Sequence, residues 1–274
     1  MLDVFKYENH LGEVVQFGEN GVFANSNDLR DYSWQYDSDK NKIENFRKGV
    51  VNKTIPIVIA APTEEEGVEV KNKIFEVFEK DVVAEIPGKI IIGEYYMNAY
   101  IYASKKSEYL KSERVLIQSV TVASDKGVWI KVTRNTFGVS PIAQTEGKGY
   151  PYGYEHDYST GNGNVGVLKN RHFAPCDFVL KISGYVMNPS ISIDGHSYSV
   201  NETIQTNEVL TIDSKKKTIT LTKNNGEEVN LFSKRDKSSY IFEKIPSGNL
   251  QVYWNSGFNF EVTLYEERSE PKWI

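Results

Sequence analysis

Asp177-Phe178-Val179-Leu180-Lys181-Ile182-Ser183-Gly184-Tyr185-Val186-Met187-Asn188-Pro189-Ser190-Ile191-Ser192-Ile193-Asp194-Gly195 (DFVLKISGYVMNPSISIDG) reads as two short strands and the turns that bound them. Phe178 to Ser183 and Ser190 to Ile193 have strand composition, and Asp194-Gly195 is a turn signal. The same motif recurs downstream at near-regular spacing. Tyr198 to Val200, Val209 to Ile212, Thr218 to Thr222, Glu228 to Leu231, Tyr240 to Phe242, Asn249 to Asn255 and Phe260 to Tyr265 are further strand candidates. Asn224-Asn225-Gly226 and Pro246-Ser247-Gly248 punctuate them. A series of this kind predicts an antiparallel β-sandwich over 171–274.

Upstream, strand signals also dominate, but one helix intervenes. Ile55 to Ala60, Lys89 to Ile92 and Tyr95 to Ala103 are β-branched or aromatic runs. Val115 to Val122 and Val128 to Val132 flank Ser124-Asp125-Lys126-Gly127, which predicts a hairpin because Gly127 can supply a positive φ. Pro62 stops the strand before it, Thr63 and Glu66 form a capping box, and Val70, Ile74, Phe75, Val77 and Phe78 recur at helical spacing. The spacing predicts an amphipathic helix over about 64–80, packed on a sheet. The chain is thus expected to be mainly β with one helix: a first β domain, 1–145, and the sandwich.

Between them, Gly149-Tyr150-Pro151-Tyr152-Gly153-Tyr154-Glu155-His156-Asp157-Tyr158 runs into Ser159-Thr160-Gly161-Asn162-Gly163-Asn164. Pro removes a backbone donor and the glycines weaken commitment to a regular element, so 146–170 is expected to be a junction. Tyr150, Tyr152, Tyr154 and Tyr158 are candidates for packing or partner contact there, since a tyrosine ring can bury its face while its hydroxyl finds a partner.

Composition excludes several classes. The 274 residues are 39% hydrophobic and 25% charged, with a formal net charge of -5. That balance argues against a general nucleic-acid binder, and Lys215-Lys216-Lys217 is too short to reverse it. No apolar run of membrane-spanning length occurs, and Met1 to Glu8 lacks the pattern of a secretory signal, so neither a membrane partner nor secretion by that route is expected. Cys176 is the single cysteine, which suits a reducing cytoplasm.

No catalytic or cofactor set emerges. His10, His156, His172 and His196 are scattered without metal-ligand spacing, and Cys176 has no local nucleophile signature. Glu64-Glu65-Glu66 suits the first turn of a helix, where the macrodipole favours negative charge. Glu266 and Glu267, adjacent on a strand, point to opposite faces and do not converge as a glycosidase pair. Gly161 to Gly166 lacks the spacing of a phosphate loop. No enzyme, no metal and no cofactor are expected.

These residues, taken in order, resemble the distal tail protein family of long-tailed phages with non-contractile tails. The resemblance is carried by Tyr7 to Glu13 with Asp28-Leu29-Arg30-Asp31-Tyr32-Ser33-Trp34-Gln35-Tyr36, by the central tyrosine tract, and by Asp177 to Gly195. It continues through Glu208 to Asp213, Lys217 to Ile219 and Asn225-Gly226 to Pro271-Lys272-Trp273-Ile274. It implies a tail-tube-like β-barrel or sandwich that forms a ring, joined to a galectin-like sandwich. It implies a homohexamer at the virion tail tip, made in the bacterial host cytoplasm. The ring would connect the tail tube protein to a tail-tip hub or fibre protein and to receptor-binding baseplate proteins.

The competing expectation is a carbohydrate-binding module for host-surface recognition. Tyr253, Trp254, Phe258 and Phe260 could stack on a sugar or a partner, although alternation on a strand also fills a core. Exposure of two or more of these rings on a concave sheet would favour the glycan reading.

Overall fold

The computed structural model describes residues 4–19, 21–109, 114–138, 164–255 and 257–273. They form two units, 1–131 with 267–274 and 132–266. The division therefore falls within the strand Trp129–Phe137 and again within Asn259–Arg268, and not in the tyrosine tract.

In the first unit, β1 (Phe5–Glu8), β2 (Val14–Phe17) and β3 (Val22–Ala24) are followed by a hairpin, β4 (Gln35–Asp39) and β5 (Lys42–Arg47). Then come β6 (Val51–Ala60), α1 (Glu64–Ala84), β7 (Gly88–Ile92), β8 (Tyr95–Tyr109), β9 (Val115–Ser124) and the first residues of β10 (Trp129–Phe137). One sheet runs β2-β1-β7-β8-β10, and another runs β3-β6-β9-β8. The fifteen-residue β8 joins them: Tyr95 to Ala99 pair with β7, Tyr100 to Tyr109 with β9, and register shifts near Ile101 and Lys106 turn the strand. Alternation places Ile55, Ile57 and Ile59 of β6 and Leu116, Val120 and Val122 of β9 in one core.

Helix α1 starts as its sequence predicts. The Thr63 side chain accepts from the Glu66 amide at 3.2 Å, and Glu64, Glu65 and Glu66 occupy the first turn. It extends four residues beyond the expected end and packs Ile74, Val77 and Phe78 inward. Phe75 departs from expectation: it is 61% exposed, because the face it shares with Val68 and Val82 points away from the sheet. Asp81 ties the helix down, accepting from the Tyr7 hydroxyl at 2.5 Å and from the His10 amide at 2.9 Å. Gly88 is required beside this cluster, since a Cβ there would lie 2.3 Å from Asp81 Oδ2.

The expected hairpin around Gly127 does not form. Gly127 has the positive φ (+54°), yet β9 already pairs with β6 on one edge and β8 on the other, and a strand has two edges. β10 pairs with β8 instead.

The second unit is an antiparallel β-sandwich. Its strands are β11 (Asn164–Asn170), β12 (Asp177–Ser183), β13 (Val186–Met187), β14 (Ser190–Ile193), β15 (His196–Ser199), β16 (Thr203–Ile204), β17 (Val209–Asp213), β18 (Thr218–Thr222), β19 (Glu228–Asn230), β20 (Gly248–Trp254) and β21 (Asn259–Arg268). One sheet is β19-β18-β17-β12-β21 with the end of β10, and the other is β11-β20-β14-β15. Phe178, Leu180 and Ile182 of β12 meet Ile191 and Ile193 of β14 in a shared core. Asp194 and Gly195 both take positive φ and close the β14–β15 hairpin.

Two expectations are corrected here. Tyr240 to Phe242 is an irregular segment, although Ile241 and Phe242 are buried in the core. Residues 164–170, expected within the junction, are strand β11, paired with β20 along its whole length. Gly166 in that strand makes room for the Phe137 ring, whose Cδ1 would sit 2.9 Å from an added Cβ.

Candidate functional site

Three of the four aromatic residues expected to present a binding face in the sandwich lie in its core. Trp254, Phe258 and Phe260 are buried, with Phe137 stacked on Phe260 at 4.8 Å between centroids and Trp254 edge-on to Phe260 at 5.2 Å. Only Tyr253 of the four is exposed. The physical reason is alternation: Trp254 points to the opposite face of β20 from Tyr253, and that face meets the second sheet. Tyr150, Tyr152, Tyr154 and Tyr158 lie outside the described residues.

Polar groups with chemical potential are tied into structure. Cys176 is buried beside Asn170, and burial pushes its thiol up to about 11, which keeps it protonated at neutral pH. His10 Nδ1 lies 2.5 Å from Asp81 Oδ1. Among the described residues no group of three His, Cys, Asp or Glu could hold a metal ion, and no helix is long and apolar enough to cross a membrane.

The surface that stands out is the β4–β5 hairpin. Every residue of both strands is exposed, and the pair belongs to no larger sheet. Tyr36 lies opposite Phe46, ring centroids 6.4 Å apart, and these side chains are 59% and 56% exposed. A bulge changes the register so that Ser38 faces Ile43, which brings Ile43 to the same side as Tyr36 and Phe46. The other side is polar, with Asp37 and Arg47 paired at 3.2 Å. The hairpin is therefore an amphipathic arm whose apolar face is exposed and, among the described residues, covers no other element. A lone two-stranded hairpin is marginal in water, so an arm of this kind gains by docking.

The root of the arm is held firmly. Leu29 is fully buried, Asp28 Oδ1 accepts from the Thr54 amide at 2.8 Å, and Lys53 Nζ donates to the carbonyls of Asp28 (2.7 Å) and Asp31 (2.6 Å). Burial lowers the Lys53 pKa, with Asp28 and Asp31 opposing that shift. Lys48 is lowered too, by burial and then by the Lys53 charge; its ammonium lies 4.7 Å from the Trp34 centroid and 5.9 Å from that of Tyr32. Arg30 lies 3.9 Å over the Trp273 ring and donates to the Pro271 carbonyl at 3.0 Å. Exposed rings at Tyr32, Trp34 and Tyr36 thus lead into an arm fixed at its base.

Strand β4 was not expected from Tyr32-Ser33-Trp34-Gln35-Tyr36. The signal was available: aromatic residues at every second position, a polar turn at Asp39 to Lys42, then Ile43 and Phe46.

Comparison with solved structures gives this geometry a setting. A chain of the phage P2 baseplate in its activated conformation with calcium matches at a TM-score of 0.58 and 12% identity, over 99% of this chain and 100% of that one. The Dit protein of SPP1, described as a paradigm of hub adsorption apparatus in phages infecting Gram-positive hosts, matches at a TM-score of 0.59 and 10% identity, over 97% and 99%. The fold is that of the phage baseplate and Dit hub proteins. No family model and no curated protein matches the sequence. At such low identity the hub fold is retained while the surface chemistry is this chain's own.

Proposed function

We propose that this chain is a structural protein of a phage or prophage tail tip, assembling as a homohexameric ring that connects the tail tube to the baseplate or tail fibre. The observation that supports the reading most is the arm: an uncovered apolar face, on a rigid root, in a chain with the hub fold. A ring needs a heterologous contact, in which one surface of each copy meets a different surface of the next, and a projecting arm is suited to make it. The partners are further copies of the chain, the tail tube protein, a hub or fibre protein and receptor-binding baseplate proteins. Its place is the virion tail tip after synthesis in the bacterial cytoplasm, and its role is non-enzymatic. The glycan-binding alternative retains Tyr253 alone of its four candidate rings.

Native mass measurement and electron microscopy of the full chain at rising concentration test the reading. Closed rings are expected, and replacing Tyr36, Ile43 and Phe46 together by Ser should leave folded monomers that melt as the parent does at concentrations too low for it to associate. A full-length chain that stays monomeric at high concentration, alone and with the tail tube protein, overturns it.

A further inference from the structure

We infer that the outer face of the C-terminal half of α1 docks a different protein, and that it takes a segment with an apolar anchor flanked by lysine or arginine. The inference goes beyond the ring reading and does not rest on it. The surface is built from one helix and one turn. Phe75 and Val83 of α1 and Leu11 of the β1–β2 turn line a shallow hollow of about 400 Å³ together with Glu76 and Glu79. The three apolar side chains are 61%, 76% and 63% exposed. Val68 and Val82, each seven residues from Phe75, are exposed as well, so α1 carries a second apolar stripe beside the one it buries.

Charge selects the partner. The whole of α1 holds seven acidic residues and three lysines, and at this face the cations are already engaged. Lys80 donates to both Glu13 carboxylate oxygens, at 2.7 and 2.9 Å, and His10 Nδ1 lies 2.5 Å from Asp81 Oδ1. Lys71, one turn before Phe75, also has an interaction of its own. Glu76 and Glu79 form no ion pair among the described residues. The helix itself gains nothing from their acidity. They are three residues apart, a spacing at which like charges repel, and Lys80, the lysine that could pair with Glu76 four residues on, is turned to Glu13. The last turn has no basic residue and Glu85 is the cap, at the end where the helix dipole disfavours negative charge. An exposed apolar stripe rimmed by carboxylates that cost the helix stability is matched by a partner that brings an apolar anchor and cations together. The same rim repels nucleic acid and anionic lipid, and the chain's own net charge of -5 disfavours a second copy as the occupant.

A library of random short peptides, displayed and selected on the full chain, tests this. Two variants serve as controls: Glu76→Lys with Glu79→Lys, which reverses the rim, and Phe75→Ser with Val83→Ser, which removes the anchor's seat. All four residues are exposed, so both variants should melt as the parent does at concentrations where none of them associates. Peptides selected on the parent should carry an aromatic or aliphatic residue with Lys or Arg on both sides. Each double variant should bind those peptides about tenfold more weakly or worse, and binding to the parent should weaken as salt rises. Selected peptides without the basic flanks, equal binding by the charge-reversed chain, or no selected peptide at all would each overturn the inference. None of those results bears on the ring reading, which is decided by the mass of the chain alone.

Discussion

The arm and the sandwich core use the same kind of strand and put it to opposite ends. In β20 and β21, Trp254 and Phe260 sit on alternating strands whose apolar faces meet across two sheets, and both rings are buried. In β4 and β5, Tyr36 and Phe46 sit on alternating strands whose apolar face meets no second sheet among the described residues. Alternation reports that a strand is amphipathic; it does not report what lies beneath the apolar side. In the sandwich a second sheet lies there, and the aromatic rings stabilise the fold. On the arm no described element does, and the rings stay exposed.

The sharpest way to break the comparison is to remove one ring from each place. Phe260→Ala should cost about 3–5 kcal/mol of unfolding free energy, the range for deleting a buried aromatic side chain. Phe46→Ala should stay within about 0.5 kcal/mol, as exposed positions do, while weakening the proposed self-association. Helix α1 holds the same contrast within one turn: Phe78→Ala belongs with Phe260, and Phe75→Ala with Phe46. Denaturant unfolding of the four variants checks all of these. Equal losses at Phe46 and Phe260 would mean that the arm is part of the fold after all.

The contrast also explains how much of the molecule the sequence disclosed. Local signals were reliable where a local cause acts alone: the Thr63 cap, and the Asp194-Gly195 turn with its two positive φ values. They failed where pairing is decided far along the chain. Ser124 to Gly127 looks like a hairpin turn, but β9 is already flanked by β6 and β8. Gly166 looks like a linker residue, but it clears space for Phe137, twenty-nine positions earlier in the sequence. The candidate site suffered the same way. Trp254 and Tyr36 both sit on amphipathic strands, and only the presence or absence of an opposing sheet separates the buried ring from the exposed one.

A smaller effect sharpens the comparison through charge. In the sandwich, burial pushes the Asp177 carboxyl up, but the Lys244 ammonium at 2.9 Å and the Ser214 hydroxyl at 3.1 Å outweigh this and hold it below the ordinary value. A carboxylate depressed in the folded state contributes stability that is present above its unfolded pKa, about 4, and is lost as pH falls through the lower folded value. Asp177→Asn should therefore be less stable than the parent at pH 7 and show a shallower loss of stability below pH 4. On the arm, the exposed Asp37–Arg47 pair is of the kind that contributes little, and Asp37→Asn should leave both the stability and its acid dependence unchanged. Urea unfolding at a series of pH values from 7 to 2.5 distinguishes the two sites; an unaltered acid slope in Asp177→Asn would remove the pair from the account.

The smallest expected effect lies where the arm meets the rest of its unit. Arg30, five residues before β4, stacks on Trp273 and donates to the Pro271 carbonyl, so residues 271–273 hold the irregular segment that leads into the arm. An exposed cation–π contact contributes about 0.5–1 kcal/mol, too little to govern the fold and enough to bias a short segment between docked and frayed states. Trp273→Ala should therefore leave global unfolding nearly unchanged while hastening proteolytic cleavage at Arg47 and Lys48, where the arm rejoins its root. Arg30→Lys should reproduce most of this, because an ammonium lacks the flat face that stacks on indole and the fork that reaches the carbonyl. The two changes act on one contact, so the double variant should be cleaved no faster than Trp273→Ala alone. Additive acceleration would mean that Arg30 and Trp273 steady the arm separately, and an unchanged cleavage rate in all three would mean that Leu29, Asp28 and Lys53 hold the root unaided.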